Sequence, residues 1–251
     1  MLNMSDQLPL PEFLASLGKT ELKPGGSYAT GAAIRMLDLT SGEHVLVVGP
    51  HAANTALFVS MTTQTTTEAL VKEESEKVTE GDPSLKRRST ARIGKIEELP
   101  FEDAHFDAAL IEATLSYQQP DRQAQTLKEI HRVLKLGARI GLHELVWRQP
   151  PTPEIERRLA DVWQGTVNPG VVRNWWDLLE TAGFKDVKNE LAVVSYFTPQ
   201  GMTSDEGDTA IEIFHKAFEN EDTLDRFYAA YREFAENRRY YGVIIATATK
   251  G

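Results

Sequence analysis

The chain has 251 residues, a formal net charge of −10, 41% hydrophobic and 25% charged residues, and no cysteine. This is the composition of an ordinary soluble globular protein with a substantial core; the acidic balance argues against a nucleic-acid backbone as partner, and the lack of cysteine excludes disulfides, thiol catalysis and cysteine-ligated clusters. No stretch approaches the roughly 18 apolar residues of a membrane span, and the start MLNMSDQLPLPEFL has no cationic leader, so the expectations are no membrane, no signal peptide and a cytoplasmic location.

Residues 8–18 suggest a short helix ending at Gly18. Lys23-Pro24-Gly25-Gly26 breaks the chain, and a helix follows with Ala32, Ala33, Met36 and Leu37 on one face. After the turn at Ser41-Gly42, His44–Val48 is a buried strand and Gly49-Pro50-His51-Ala52-Ala53-Asn54 is the loop beyond it. Thr55–Met61 is apolar and rich in residues that favour strands, so it is expected to be the second strand, with a helix over Thr67–Val78. Gly81–Ser89 is a polar, basic loop and Ala91–Ile96 a third strand.

The stretch Glu97–Trp147 is the most legible. His105–Ala113 contains the apolar run of a strand buried on both faces. From Asp121, a candidate N-cap, Leu127, Ile130, Val133 and Leu134 recur at helical spacing, and Lys135 and Gly137 supply the stop. Ala138–Val146 is the next strand. Two parallel strands joined by a crossover helix imply an α/β sheet.

This unit, ELPFEDAHFDAAL followed by LKEIHRVLKLGARIGLHEL, resembles the second half of a class I S-adenosylmethionine (SAM) methyltransferase domain of the small-molecule, type 11-like kind. The phrase WWDLLETAGF is similar to that family's last helix. The resemblance, over about residues 20–190, implies a Rossmann-like doubly wound α/β sheet of about seven strands with the last antiparallel. It divides the chain into an N-terminal helical segment, 1–40, and an α/β domain, 41–251, with helical insertions at 148–173 and 201–239. The second insertion reads as one or two amphipathic helices over 205–239, expected to cover the open end of the sheet or to form a homodimer contact.

The resemblance also implies SAM as cofactor and a small-molecule substrate. By position the cofactor contacts fall on Gly49, Pro50, His51, Ile96, Glu97 and Glu112. The family's glycine-rich loop keeps only Gly49, since His51 and Ala53 replace later glycines. The acidic residue that grips the ribose falls among Thr62, Thr63 and Gln64, and the one that meets adenine falls at Lys95. These departures predict weak SAM binding or none. They keep a second reading open: a methyltransferase-like protein that has lost SAM and serves as a binding or oligomerisation module.

Open α/β sheets bind ligands at the carboxyl ends of their parallel strands. That rule selects His51, Glu112, Tyr117, His143 and Glu144, of which Glu112 and His143 are the candidate catalytic pair. Glu112 ends a buried apolar strand, and its carboxylate there requires a partner or a ligand. His143 and Glu144 alternate across the sheet, so they face opposite sides. No HxH or HxxxH spacing supports a metal site among His51, Glu112, His143 and Glu144.

Overall fold

The computed structural model describes residues 8–73 and 87–251. One mixed sheet holds seven strands: β1 (His44–Val48), β2 (Thr66–Val71), β3 (Ser89–Ile93), β4 (Phe106–Glu112), β5 (Leu134–Trp147), β6 (Phe184–Ala192) and β7 (Tyr241–Lys250). Their order is β3-β2-β1-β4-β5-β7-β6. β7 runs antiparallel to both of its neighbours, and the pairs from β3 through β5 are parallel. The doubly wound sheet with its antiparallel last strand is as expected. β1 and β4 are wholly apolar in their centres and fully buried there, as strands covered by helices on both faces must be. Each fully buried Leu or Ile of these strands contributes about 1.5–3 kcal/mol.

The helices lying wholly within the described residues are α1 (Leu10–Ser16), α2 (Gly26–Leu37), α3 (Ala52–Thr63), α4 (Pro120–Val133), α5 (Pro153–Trp163), α6 (Val172–Thr181), α7 (Pro199–Glu206), α8 (Thr209–Ala217) and α9 (Glu221–Glu236). On α4 the cap is Gln119, with Pro120 at the first helical position and Asp121 within the first turn, a placement that suits proline's fixed φ and missing N–H.

The expectation for residues 55–78 is overturned. Thr55–Met61 is part of α3, and the second strand lies later, at Thr66–Val71. Within the expected helix, Thr67–Val71 is strand, Lys72 and Glu73 form a bend, and the remainder lies outside the described residues, as does most of the polar loop expected over Gly81–Ser89. The physical reason is connectivity. β1 and β2 are parallel neighbours, and parallel neighbours need a crossover between them, usually a helix. Ala52, Ala53, Ala56, Val59 and Ser60 make the buried face of that helix. Phe58 and Met61, which give the stretch its strand-like look, point to solvent.

β5 and β7 run on beyond the end of β4, pairing Glu144–Trp147 with Tyr241–Ile244. The insertion helices cover this projecting end. Met202, Ala210, Ile213, Ala217, Phe227 and Phe234 pack with Leu145, Trp147 and Tyr241, and with α1 and α5. The 205–239 segment is helical and covers the sheet's open end, in three helices with α7 included. β6 ends at Ala192, and residues 193–198 leave the sheet to bury Tyr196 and Phe197 in this second core.

Candidate functional site

The chain winds outward from β1 to β3 and returns to place β4 beside β1, so the two strands meet at the switch point of the sheet. Their carboxyl ends touch there. Gly49, the residue after β1, has φ +145, and a Cβ on it would lie 2.4 Å from the carbonyl oxygen of Glu112. Only glycine can make this approach, because the backbone of β4 occupies the place of a side chain. Pro50 is half-buried. His51 is exposed and left-handed, at φ 54, and serves as the cap residue of α3 without a side-chain hydrogen bond to it. Its imidazole therefore stands outside the turn.

Glu112 carries a carboxylate into the apolar end of β4, fully buried, and such a group needs compensation. Three side chains provide it directly. The Lys23 ammonium lies 3.3 Å from Oε2. Thr30 on α2 donates to Oε1 at 2.5 Å. His143, the register partner of Glu112 on β5, places Nδ1 at 3.1 Å from Oε1. The Gly25 amide donates to His143 Nε2 at 3.0 Å, so Nε2 is an acceptor, and it is Nδ1 that carries the proton and donates to Glu112. Lys23 also lies 3.2 Å from Glu21 Oε2 and donates to Thr55 Oγ1 at 3.2 Å.

The electrostatics agree from both sides of the pair. Burial works to raise the Glu112 pKa, but the charge of Lys23 and the hydrogen bonds from His143 and Thr30 outweigh it and hold the carboxyl at about 2. Burial works to lower the Lys23 pKa, but Glu112 and Glu21 outweigh it and raise it. The pair is therefore ionised across the physiological range. It ties the segment before α2 to the ends of β4 and β5. Both candidate catalytic residues are buried: Glu112 has both carboxylate oxygens engaged, and His143 has both nitrogens engaged.

Glu144 faces the other side, as the strand alternation requires. Its carboxylate accepts from the amides of Thr114, Leu115 and Ser116 at 2.9, 2.9 and 3.0 Å and from Ser116 Oγ at 2.6 Å. It fixes the 3-10 turn Leu115–Tyr117 that follows β4. Burial keeps its pKa above the ordinary carboxylate value despite these donors. Tyr117 stacks on Trp163 at 4.9 Å, and its hydroxyl lies 3.4 Å from that of Tyr196.

The remaining candidates are spread out. Ile96 packs against the core beside Leu99 and Phe101. Glu97 lies 3.7 Å from Arg122 on α4, and in the loop after β3 the backbone amide of Glu98 donates to the Lys95 carbonyl at 3.2 Å. Two features escape the sequence reading. One is Lys23, which reads as part of a chain-breaking loop. The other is Glu73. Leu70 pairs with Val48, so the chain leaving β2 at Val71–Glu73 passes the end of β1 beside Gly49. An acidic residue does follow the second strand, and it is Glu73; Thr62, Thr63 and Gln64 instead end α3. At the opposite, amino end of the sheet, Glu68 lies 3.2 Å from His44 and 3.4 Å from His105. The close His44 ring is the main reason its pKa is lowered, against burial and with help from His105 and Arg92.

A family model described as a methyltransferase domain matches residues 47–142, from β1 into β5. An uncharacterized protein of Haemophilus influenzae is 27% identical over 202 residues, covering 78% of this chain and 79% of its own. Among solved structures, the [4+2]-cyclase SpnF superposes with a TM-score of 0.73 at 20% identity, over 96% of this chain and 93% of that one. A putative sarcosine dimethylglycine methyltransferase from Galdieria sulphuraria gives 0.66 at 14% identity, over 96% and 85%. Phosphoethanolamine N-methyltransferase 2 of Haemonchus contortus, in complex with SAM, gives 0.69 at 13% identity, over 96% of this chain and 56% of that one. Sheet order and the family-model match agree: over residues 47–142 the chain is similar to a methyltransferase domain, and its fold is the one shared by the solved methyltransferases above.

Proposed function

We propose that this protein transfers a methyl group from SAM to a small molecule. The observation that carries the reading is the meeting of the Gly49 turn with Glu112 at the carboxyl ends of β1 and β4, with Glu73 two residues beyond the end of the neighbouring β2. These residues fit the parts of the cofactor. The glycine turn and the start of α3, which no side chain caps, suit a carboxylate. Glu73 suits the ribose hydroxyls, and Glu112 suits an ammonium group. Lys95 alone has the wrong sign, where the family has an acceptor for the adenine amino group.

Bound SAM supplies an electrophilic methyl group. The chain's own contribution is positioning and exclusion of water. Lys23 and His143 keep Glu112 ionised beside the Gly49 turn. Both nitrogens of His143 are engaged, so in this geometry it holds a proton at Nδ1 and supports Glu112.

A second reading, a methyltransferase fold that no longer binds SAM and acts as a binding or oligomerisation module, draws support from Lys95 and from the buried Lys23 ammonium at the cleft. Thermal-shift titration with SAM and with its demethylated product separates the two, because a ligand of the folded state raises its melting temperature. A concentration-dependent rise with both compounds supports methyl transfer, and an unchanged melting temperature up to millimolar ligand supports the second reading.

A further inference from the structure

A cavity lies away from the ion-paired cluster, where β5 and β7 outrun β4. Its volume is about 600 Å³, within the range of sites that enclose a small organic ligand. The buried rings of Phe197, Phe234 and Tyr241 form apolar walls, and Arg148, Arg238 and Arg239 stand at its exposed rim. No Asp or Glu lines it, although the chain as a whole carries a net charge of −10. Arg239 stacks on Tyr240 at 4.9 Å. The guanidinium groups of Arg148 and Arg238 have no ion-pair partner among the described residues. The nearby Glu233 is already committed: it accepts from Tyr241 Oη at 2.6 Å and from Asn237 at 2.9 Å. The stem of Arg148 lies flat on Gly242, where an added Cβ would come within 2.6 Å of Arg148 Cγ. The glycine thus leaves the room that holds this arginine at the cavity.

We infer that this cavity binds a small molecule with an anionic head, carboxylate or phosphate, and an apolar body. Guanidinium groups pair with both kinds of oxyanion in a planar, two-bond geometry, and the aromatic walls take the apolar part. As the site of the methyl acceptor, this inference rests on the methyl-transfer reading above; as a binding site it stands apart from it.

The test is a titration by saturation-transfer NMR at low salt with three probes of one shape: 4-phenylbutyrate, 4-phenylbutyl phosphate and neutral 4-phenylbutanol. At least one anion is expected to bind tenfold or more tighter than the alcohol, and the preferred head group identifies the chemistry. Arg148→Ala/Arg238→Ala is expected to remove that tenfold preference, with circular dichroism confirming the fold. Gly242→Val, which displaces the Arg148 stem, is expected to weaken anion binding as well. Equal binding of the alcohol and both anions, or undiminished anion binding by the folded double variant, overturns the inference. The demethylated product of SAM is titrated on the same proteins. If it binds while the anions do not, only the anion site fails; if the anions bind while it does not, only the methyl-transfer reading fails.

Discussion

The Lys23 ammonium lies 3.3 Å from Glu112 Oε2, and both side chains are buried. The two residues are far apart in sequence, and this contact fastens the segment before α2 over the ends of β4 and β5. Removing one partner of a buried pair leaves an uncompensated charge, at a cost of about 3–5 kcal/mol. Lys23→Met and Glu112→Gln are each expected to lose stability on that scale in urea unfolding. The double variant is expected to lose less than the sum, because the two changes share one interaction. Strictly additive losses would show that the pair is not coupled.

The same pair predicts a pH dependence. The folded pKa of Glu112, about 2, lies below its ordinary value of 4.5. Its contribution to stability is therefore complete above about pH 4.5 and is lost as pH falls toward 2. Lys23 has a raised pKa, so its contribution is complete below its ordinary value of 10.5 and is lost above it. The raised pKa of Glu144 acts in the opposite sense to Glu112 in acid. The comparison that isolates the pair is wild type minus Lys23→Met/Glu112→Gln: the difference in unfolding free energy is expected to be flat from about pH 5 to 10 and to shrink below pH 4.5. A difference that stays constant down to pH 2.5 would contradict the assignment.

Glu144 is expected to matter for the fold rather than for ligand binding. It is the shared acceptor of three consecutive amides in the turn after β4, and a buried amide left without an acceptor costs about 1–3 kcal/mol. Glu144→Ala should therefore lower the unfolding midpoint strongly. Glu97→Ala, which removes only a partly exposed contact to Arg122 at 3.7 Å, should shift it by less than about 1 kcal/mol. Similar small losses for both would mean that Glu144 does not hold the turn.

The β4–α4–β5 unit is legible because its signals agree. Phe106–Ile111 is a buried strand run, Leu127, Ile130 and Val133 keep helical spacing, and the register of the two strands then follows. Glu112 is legible for a related reason, since a carboxylate ending such a run demands a partner. Its partner is not, because nothing local marks Lys23: it stands in a loop and acquires its role only when α2 packs on the sheet. α3 misleads because Phe58, Val59 and Met61 favour strands locally, whereas the parallel pairing of β1 and β2 requires a crossover there. That single error moves the second strand by about a dozen residues and hides Glu73 from the cofactor edge. The expectation of weak SAM binding counts that acid as missing, so it loses one of its supports, while Lys95 and His51 remain.

Calorimetric titration of SAM into wild type, Glu73→Ala and Lys95→Asp tests the central claim most directly. The account predicts a dissociation constant for wild type between about 1 µM and 1 mM, the range in which enzymes commonly bind substrates. A hydrogen bond to a charged group contributes about 1.5–3 kcal/mol, and about 1.4 kcal/mol is a factor of ten. Glu73→Ala is therefore expected to bind at least tenfold more weakly, and Lys95→Asp more tightly than wild type. No heat of binding from the folded wild-type protein or from either variant would contradict the account and leave the fold without its cofactor.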